Sequence, residues 1–390
     1  MIEKKILGGR ESVKVAVVQA SPVFMDKAKT IDKACQLIKE AGKNGAELVV
    51  FSETFIAGYP AYYTSGWESK PSEWTAYVIA LQDNSVVVNS ADTEALGEAV
   101  RAAGIYAVVG CNELDDRPGS RTVYNTLLFF GRDGKLMGRH RKLMPTFTER
   151  TYWGWGDASD LKVFETDIGR IGGLICGENQ MILVKAAMMQ KGEEFHIAVW
   201  PGIWSGHART NLLDPETDPL RQSGVLYPTI RSYAFDAQSF VLSAHGIITD
   251  LPEQWQHLKG NDHASFSWAV GGSAVVNPHG GFIAGPLIGE ESILYAECRA
   301  RNIKIAKALY DCLGHYTRWD VVRLEVRKEP WTPEVASNKP EVKLPLDELR
   351  RISEDYEIGV DKLQALIEEL NASTTSLREA RQPRSNLGRG

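Results

Sequence analysis

Short, nearly continuous apolar runs recur along this chain, separated by segments whose apolar residues fall every three or four positions. "VKVAVVQA" (13–20), "AELVVFSET" (46–54), "IYAVVGCNE" (105–113), "RIGGLICGEN" (170–179), "FHIAVW" (195–200) and "SFVLSAHGII" (239–248) are of the first kind. Runs of this length predict buried strands. Ala28, Ile31, Cys35, Ile38 and Ala41 are spaced for one helix, and "ADTEALGEAVRAAG" for a second. Further helices are expected at about 180–191 and 220–237. Such alternation reads as one α/β domain. "TVYNTLLFFGRDGKLMGRHRKL" predicts a hairpin at Arg132-Asp133-Gly134, since Asp-Gly supplies the positive φ a tight turn needs. A second hairpin is expected across "GGSAVVNPHGGFIAGPL" and "SILYAECR".

The alternation stops near Arg327, so residues 1–329 are read as one domain and 330–390 as an extension. There the composition turns to prolines and charges. Leu349, Ile352, Tyr356, Val360, Leu363, Ile367 and Leu370 then mark an amphipathic helix over about 346–370, interrupted by Gly359. The final "SLREARQPRSNLGRG" carries four arginines against one glutamate and is expected to be disordered.

A net charge of −6 over 390 residues argues against nucleic-acid or membrane-surface partners. No apolar run approaches the roughly 20 residues of a membrane span, and "MIEKKILGGRESVKVAVVQA" is too charged for a signal peptide. The five cysteines are scattered and form no CxxC pair, which predicts neither a disulfide framework nor a zinc ribbon. A reducing cytoplasm is the expected compartment. The eight histidines lack HExxH-like spacing, and no phosphate-binding glycine loop is present.

Cys176 stands where a buried strand runs into a helix. A lone cysteine is commonly a small hydrophobe. A strand end, however, is where open α/β sheets place ligands, and a following helix offers N–H groups and a positive dipole end that lower a thiol's pKa. A nucleophilic cysteine also needs a base and a group to meet developing charge. Glu53 closes "LVVFSET" at another strand end. Lys142 ends a basic run in "GRHRKLMPT", and Glu149 follows among aromatics, where an unpaired carboxylate would be costly.

These segments together resemble the carbon–nitrogen hydrolase (nitrilase) superfamily, which uses a Glu-Lys-Cys triad in this chain order. "FSETFIAGYP" is similar to its Glu motif, "HRKLMPT" to its Lys motif and "GGLICGEN" to its Cys motif. "PTFTERTYWGWGDASDLKVFET", "HIAVWPGIW", "RSYAFDAQSFVLS" and "LGHYTRWDVVRL" narrow the resemblance to true nitrilases.

The resemblance implies an α-β-β-α sandwich whose subunits pair into a four-layer homodimer, extended in many nitrilases into larger spirals. It implies Cys176 as nucleophile, Glu53 as general base, Lys142 as stabiliser of the tetrahedral species and Glu149 as the glutamate that positions the site. Neither a metal nor an organic cofactor is implied. The implied substrate is a small organic nitrile, with amides of the same superfamily's amidases and cyanide as alternatives. A non-catalytic assembly protein is disfavoured by the four intact positions. Tyr59, Trp200, Pro201 and Trp204 are candidate pocket residues, although aromatics there serve equally as core. Two departures stand out. Gly177 occupies a position where many nitrilases carry a large aromatic, which suggests a roomier pocket or simply a tight turn. Trp319 replaces a usual proline, with a surface or interface effect expected.

Overall fold

The computed structural model describes residues 5–60, 71–202, 226–250, 253, 269–327, 346–356 and 358–368. The chain forms two compact units, Met1–Pro330 and Trp331–Gly390. The first contains two mixed sheets. In one, β1 (Ser12–Gln19) pairs parallel with β2 (Leu48–Val50), which pairs parallel with β4 (Tyr106–Leu114). β3 (Val86–Val87) joins the end of β4, and β5 (Val123–Phe130) and β6 (Leu136–Arg141) continue the sheet antiparallel. In the other sheet, β8 (Gly169–Ile175), β9 (Phe195–Trp200) and β10 (Phe240–His245) run parallel. β7 (Phe164–Thr166) borders β8, while β11 (Gly271–Val276) and β12 (Phe282–Ile288) complete the other side, all antiparallel.

The buried side chains explain the layering. Successive residues of a strand point to opposite faces. Val13, Val15 and Val17 accordingly meet Ile171, Phe195, Ile197, Val199 and Leu242 between the sheets. Ala16 and Val18 face outward to the helices α1 (Lys27–Lys43) and α3 (Ala91–Ala103). On the far side, Leu174, Ala198 and Val241 pack against α4 (Ile182–Met189) and α5 (Leu226–Ala237). The result is helix, sheet, sheet, helix, and it explains why the strands read as continuous apolar runs. Local signals set the helix ends. Asp26 caps α1 by accepting from Lys29 N–H at 3.0 Å. Ser90 and Thr93 form a capping box at the start of α3, which stops at Gly104 with φ +67°.

Three features differ from the sequence reading. A helix, α2 (Pro71–Asp83), lies where no amphipathic pattern singled one out. β11 and β12 form a hairpin, but "SILYAECR" becomes β13 (Ser292–Arg299), which leaves that sheet and pairs with β1 in the other. The helix expected at 180–191 is shorter and is separated from Cys176 by a 3₁₀ turn, Cys176–Gln180. Between β13 and residue 327 lies α6 (Ala300–Leu309), and beyond it Trp319 is half-exposed. In the second unit α7 (Leu346–Tyr356) and residues 360–368 are helical, with a break at 358–359, while 369–390 fall outside the described residues.

The core between the sheets should respond as a close-packed interior. Ile197→Ala, at a fully buried position there, is expected to cost about 2–5 kcal/mol, read as a lower urea midpoint with an unchanged m-value.

Candidate active site

Three strand ends converge on one cluster. Glu53 follows β2 of the first sheet, Lys142 follows β6 at its margin, and Cys176 follows β8 of the second. Sequence separations of 89 and 34 residues thus collapse into one buried site. Lys142 Nζ donates to Glu53 Oε1 at 2.9 Å and to Glu149 Oε2 at 2.7 Å. Glu149 is fixed by Tyr59 Oη, donating to Oε1 at 2.5 Å, and by the Thr146 N–H, donating to Oε2 at 2.6 Å. Asn125 Nδ2 donates to Glu53 Oε1 at 2.6 Å, whereas Glu53 Oε2 is buried with no hydrogen-bond partner among the described residues. The Cys176 Sγ and a carboxylate oxygen from each of Glu53 and Glu149 lie within 4.8 Å of one another. A thiol and two acids so grouped are a familiar metal-ligand set, but here the Lys142 ammonium bonds both acids and serves as their cation.

This environment sets the protonation states. Burial pushes the Glu53 carboxyl up to about 7; Lys142 opposes this, Glu149 adds to it, and Asn125 opposes it. Burial also pushes the Cys176 thiol well above its usual range, with Lys142 and the Gly177 N–H pulling against burial and the two glutamates adding to it. This corrects the expectation of a thiol lowered by a helix dipole: the 3₁₀ turn intervenes, and desolvation dominates. Burial works against the charge of Lys142, but Glu53, Cys176 and Glu149 overturn it and hold the ammonium well above its ordinary value. The resting site is therefore a neutral thiol beside a locked ammonium and a carboxyl poised near neutrality.

Glu178 ties the lysine strand to the cysteine strand. Its fully buried carboxylate accepts from Leu143 N–H at 2.6 Å, next to Lys142, and from Ile175 N–H at 2.8 Å, next to Cys176. His140 Nε2 lies 2.9 Å from the same carboxylate. Burial disfavours both charges, but their mutual attraction wins, and Glu178 is held below and His140 above its ordinary value. Sequence reasoning missed Glu178, Asn125 and Trp153, whose ring lies 5.6 Å from Lys142 Nζ. The available signal for Asn125 was an amide inside the apolar run "VYNTLLFF", since a buried amide must find partners.

Of the predicted pocket residues, Tyr59 and Pro201 line a small cavity with Glu53, Phe55, Gly246 and Ile248. Tyr59 spends its hydroxyl on Glu149. Trp200 lies on the outer face of β9 with Tyr227, Ile230 and Tyr233, in the core role that aromatics also fill. Trp204 lies outside the described residues. Gly177 has no positive φ, and among the described residues a Cβ there would meet only Thr146 Oγ1, at 3.5 Å. The backbone thus does not require glycine, and the open space beside Cys176 follows from its missing side chain.

The carbon–nitrogen hydrolase family model matches residues 14–307, which includes every member of this cluster. An aliphatic nitrilase of Rhodococcus rhodochrous is 37% identical over 324 residues, 82% of this chain and 84% of that one. The chain belongs to the carbon–nitrogen hydrolase family, in its nitrilase branch. A bifunctional nitrilase/nitrile hydratase of Lupinus angustifolius is 34% identical, covering 83% of this chain and 88% of its own. The solved structure of a branch 10 nitrilase-superfamily member from Saccharomyces cerevisiae shares the fold. Its TM-score is 0.58 at 24% identity, over 77% of this chain and 94% of that chain. The α-β-β-α sandwich is thus the fold of a hydrolase family acting on carbon–nitrogen bonds.

Two substitutions separate the clamp from the open space. Glu178→Gln leaves one donor facing an amide N–H and breaks the pair with His140, so a loss of about 3 kcal/mol is expected by chemical denaturation. Gly177→Ala is expected to shift stability by less than about 0.5 kcal/mol, as a substitution away from any strained or packed feature does.

Proposed function

We propose that this protein is a nitrilase that converts an organic nitrile and two waters into a carboxylic acid and ammonia, with Cys176 as nucleophile. The observation that carries the reading is the unpartnered Glu53 Oε2, buried beside a neutral thiol and poised near neutrality. Glu53 takes the thiol proton as sulfur adds to the nitrile carbon, and that proton passes to the nitrogen to give a thioimidate. Water, deprotonated by Glu53, adds next. Ammonia leaves once its nitrogen is protonated, and a thioester remains. A second water, activated in the same way, releases the acid and restores the thiol. Lys142 and the Gly177 N–H meet the negative charge that builds on the attacked centre. Glu149, held by Tyr59 and Thr146, keeps Lys142 aimed. The named relatives support nitriles over amides as substrates, and the site asks for no cofactor.

The proposed working form is a homodimer that extends into larger assemblies, acting in the cytoplasm. Ile182 and Leu183 on α4 and Phe235 on α5 are exposed by 79, 69 and 58%. These helices are neighbours, with Lys185 3.7 Å from Asp236, so the outer layer presents an apolar face suited to a second copy. Among the described residues no helix is long and apolar enough to cross a membrane.

Ammonia release from a panel of aliphatic, aromatic and arylaceto-nitriles, their amides and cyanide tests the activity. Cys176→Ala is expected to abolish release from nitriles, and Lys142→Met to lower kcat by about 10²–10³-fold. Release from amides alone would instead make the protein an amidase. Burial raises Glu53 above its ordinary range, so it is protonated below about 7 and unable to accept a proton. The expected profile is therefore kcat/KM rising with pH through an inflection near 7. For the assembly, Leu183→Glu with Phe235→Glu should reduce the particle size measured by light scattering; an unchanged size would remove this face from the interface.

A further inference from the structure

The turn bearing Cys176 is held by a line of buried polar groups that take no part in the proposed chemistry. Cys176 sits at φ +53°, a left-handed conformation costing a residue with a Cβ about 1–2 kcal/mol. Asn179 Nδ2 donates to the Cys176 carbonyl at 3.0 Å and to the Leu174 carbonyl at 3.3 Å. Its Oδ1 lies 2.8 Å from Nε2 of His196 in β9. Across the ring, His196 Nδ1 is 3.1 Å from each carboxylate oxygen of Glu193. Tyr233 Oη, from α5, donates to Glu193 Oε2 at 2.6 Å, and its ring stacks on His196 at 3.6 Å between centroids. All four side chains are buried. Gly172 makes the arrangement fit, because a Cβ there would overlap Glu193 Oε1.

Hydrogen-bond accounting fixes the protons. An amide that donates to two carbonyls has only its oxygen left to face His196, so Nε2 must donate. The opposite amide orientation would press Oδ1 against two carbonyl oxygens and lose both bonds. A carboxylate already accepting from Tyr233 and facing Nδ1 equally with both oxygens calls for a donor there as well. We infer that His196 carries a proton on both ring nitrogens, paired with Glu193, and that it acts as a positioning residue for Cys176. It orients Asn179, and Asn179 holds the carbonyl whose placement keeps the left-handed turn and aims Sγ at Glu53 and Lys142. The role of Cys176 in this inference rests on the nitrilase reading.

The full-length chain, with its His196→Ala, His196→Gln and Asn179→Asp variants, provides the test. Misplacing a reacting atom by about an ångström costs roughly 10²-fold. His196→Ala and Asn179→Asp are therefore expected to lower kcat by about that factor with KM little changed. They should also slow alkylation of Cys176 by iodoacetamide. His196→Gln keeps a donor near the position of Nε2 and is expected to recover much of both losses. Wild-type kcat and alkylation rates in the alanine and aspartate variants would overturn the inference, as would a glutamine variant no better than alanine. ¹⁵N spectra of histidine-labelled wild-type protein, with the His196 resonances assigned by their loss in His196→Gln, read the protons directly. Two protonated nitrogens are expected, and one bare nitrogen would overturn the assignment even where a variant fails to fold. Alkylation and spectra do not need nitrile turnover. A wild type silent on nitriles but showing the expected alkylation pattern would sink the nitrilase reading alone.

Discussion

A buried ammonium between two buried carboxylates is the interaction on which the rest of this structure depends. Lys142, Glu53 and Glu149 are all almost completely removed from solvent, and each alone would be too costly to bury in its charged form. Their hydrogen bonds offset much of that cost only while the geometry is kept. The surroundings are arranged accordingly: Asn125 supports Glu53, Tyr59 and Thr146 support Glu149, and Glu178 joins the lysine strand to the cysteine turn. Burial is the main reason that Glu53 is raised to about 7 and that the thiol is held up; Lys142 opposes both shifts, and the neighbouring carboxylates add to them.

That state of the thiol bears on how the proposed chemistry begins. A cysteine activated in advance would need a cation unopposed by anions. Here Lys142 is shared with two glutamates, so the proton must leave as sulfur attacks, and a base with a free oxygen must stand beside it. The locked lysine is then available for charge that appears later on the substrate. Rigidity serves the same end, since a sandwich with both sheet faces covered holds its strand ends against displacement.

The strands were largely legible because both of their faces are buried and they write themselves as apolar runs, whereas the sandwich layering was implied by the family resemblance. Residues 13–20, 105–113 and 195–200 read correctly for that reason. α2 did not, because its apolar and polar residues are not segregated onto opposite faces. The crossing of β13 to the first sheet was also hidden, since its local pattern fits pairing with β12 as well as with β1. Within the site, Glu53, Lys142, Glu149 and Cys176 were weak signals one by one, and the resemblance of their segments to the family's motifs in chain order singled them out. Glu178 and Asn179 look ordinary in sequence, and their importance lies in partners up to 38 residues away.

By itself the sequence determined the α/β alternation of strands and helices, because hydrophobic period is a local property, and the family, because its motifs are short local segments. Only the tertiary structure decided which carboxylate keeps a free oxygen, that the thiol is held up rather than lowered, and that Trp200 faces the helices. It also decided that Gly177 is a matter of space rather than of backbone. These depend on desolvation and on distances of a few ångströms between segments far apart in the chain, and neither is a property of any one segment.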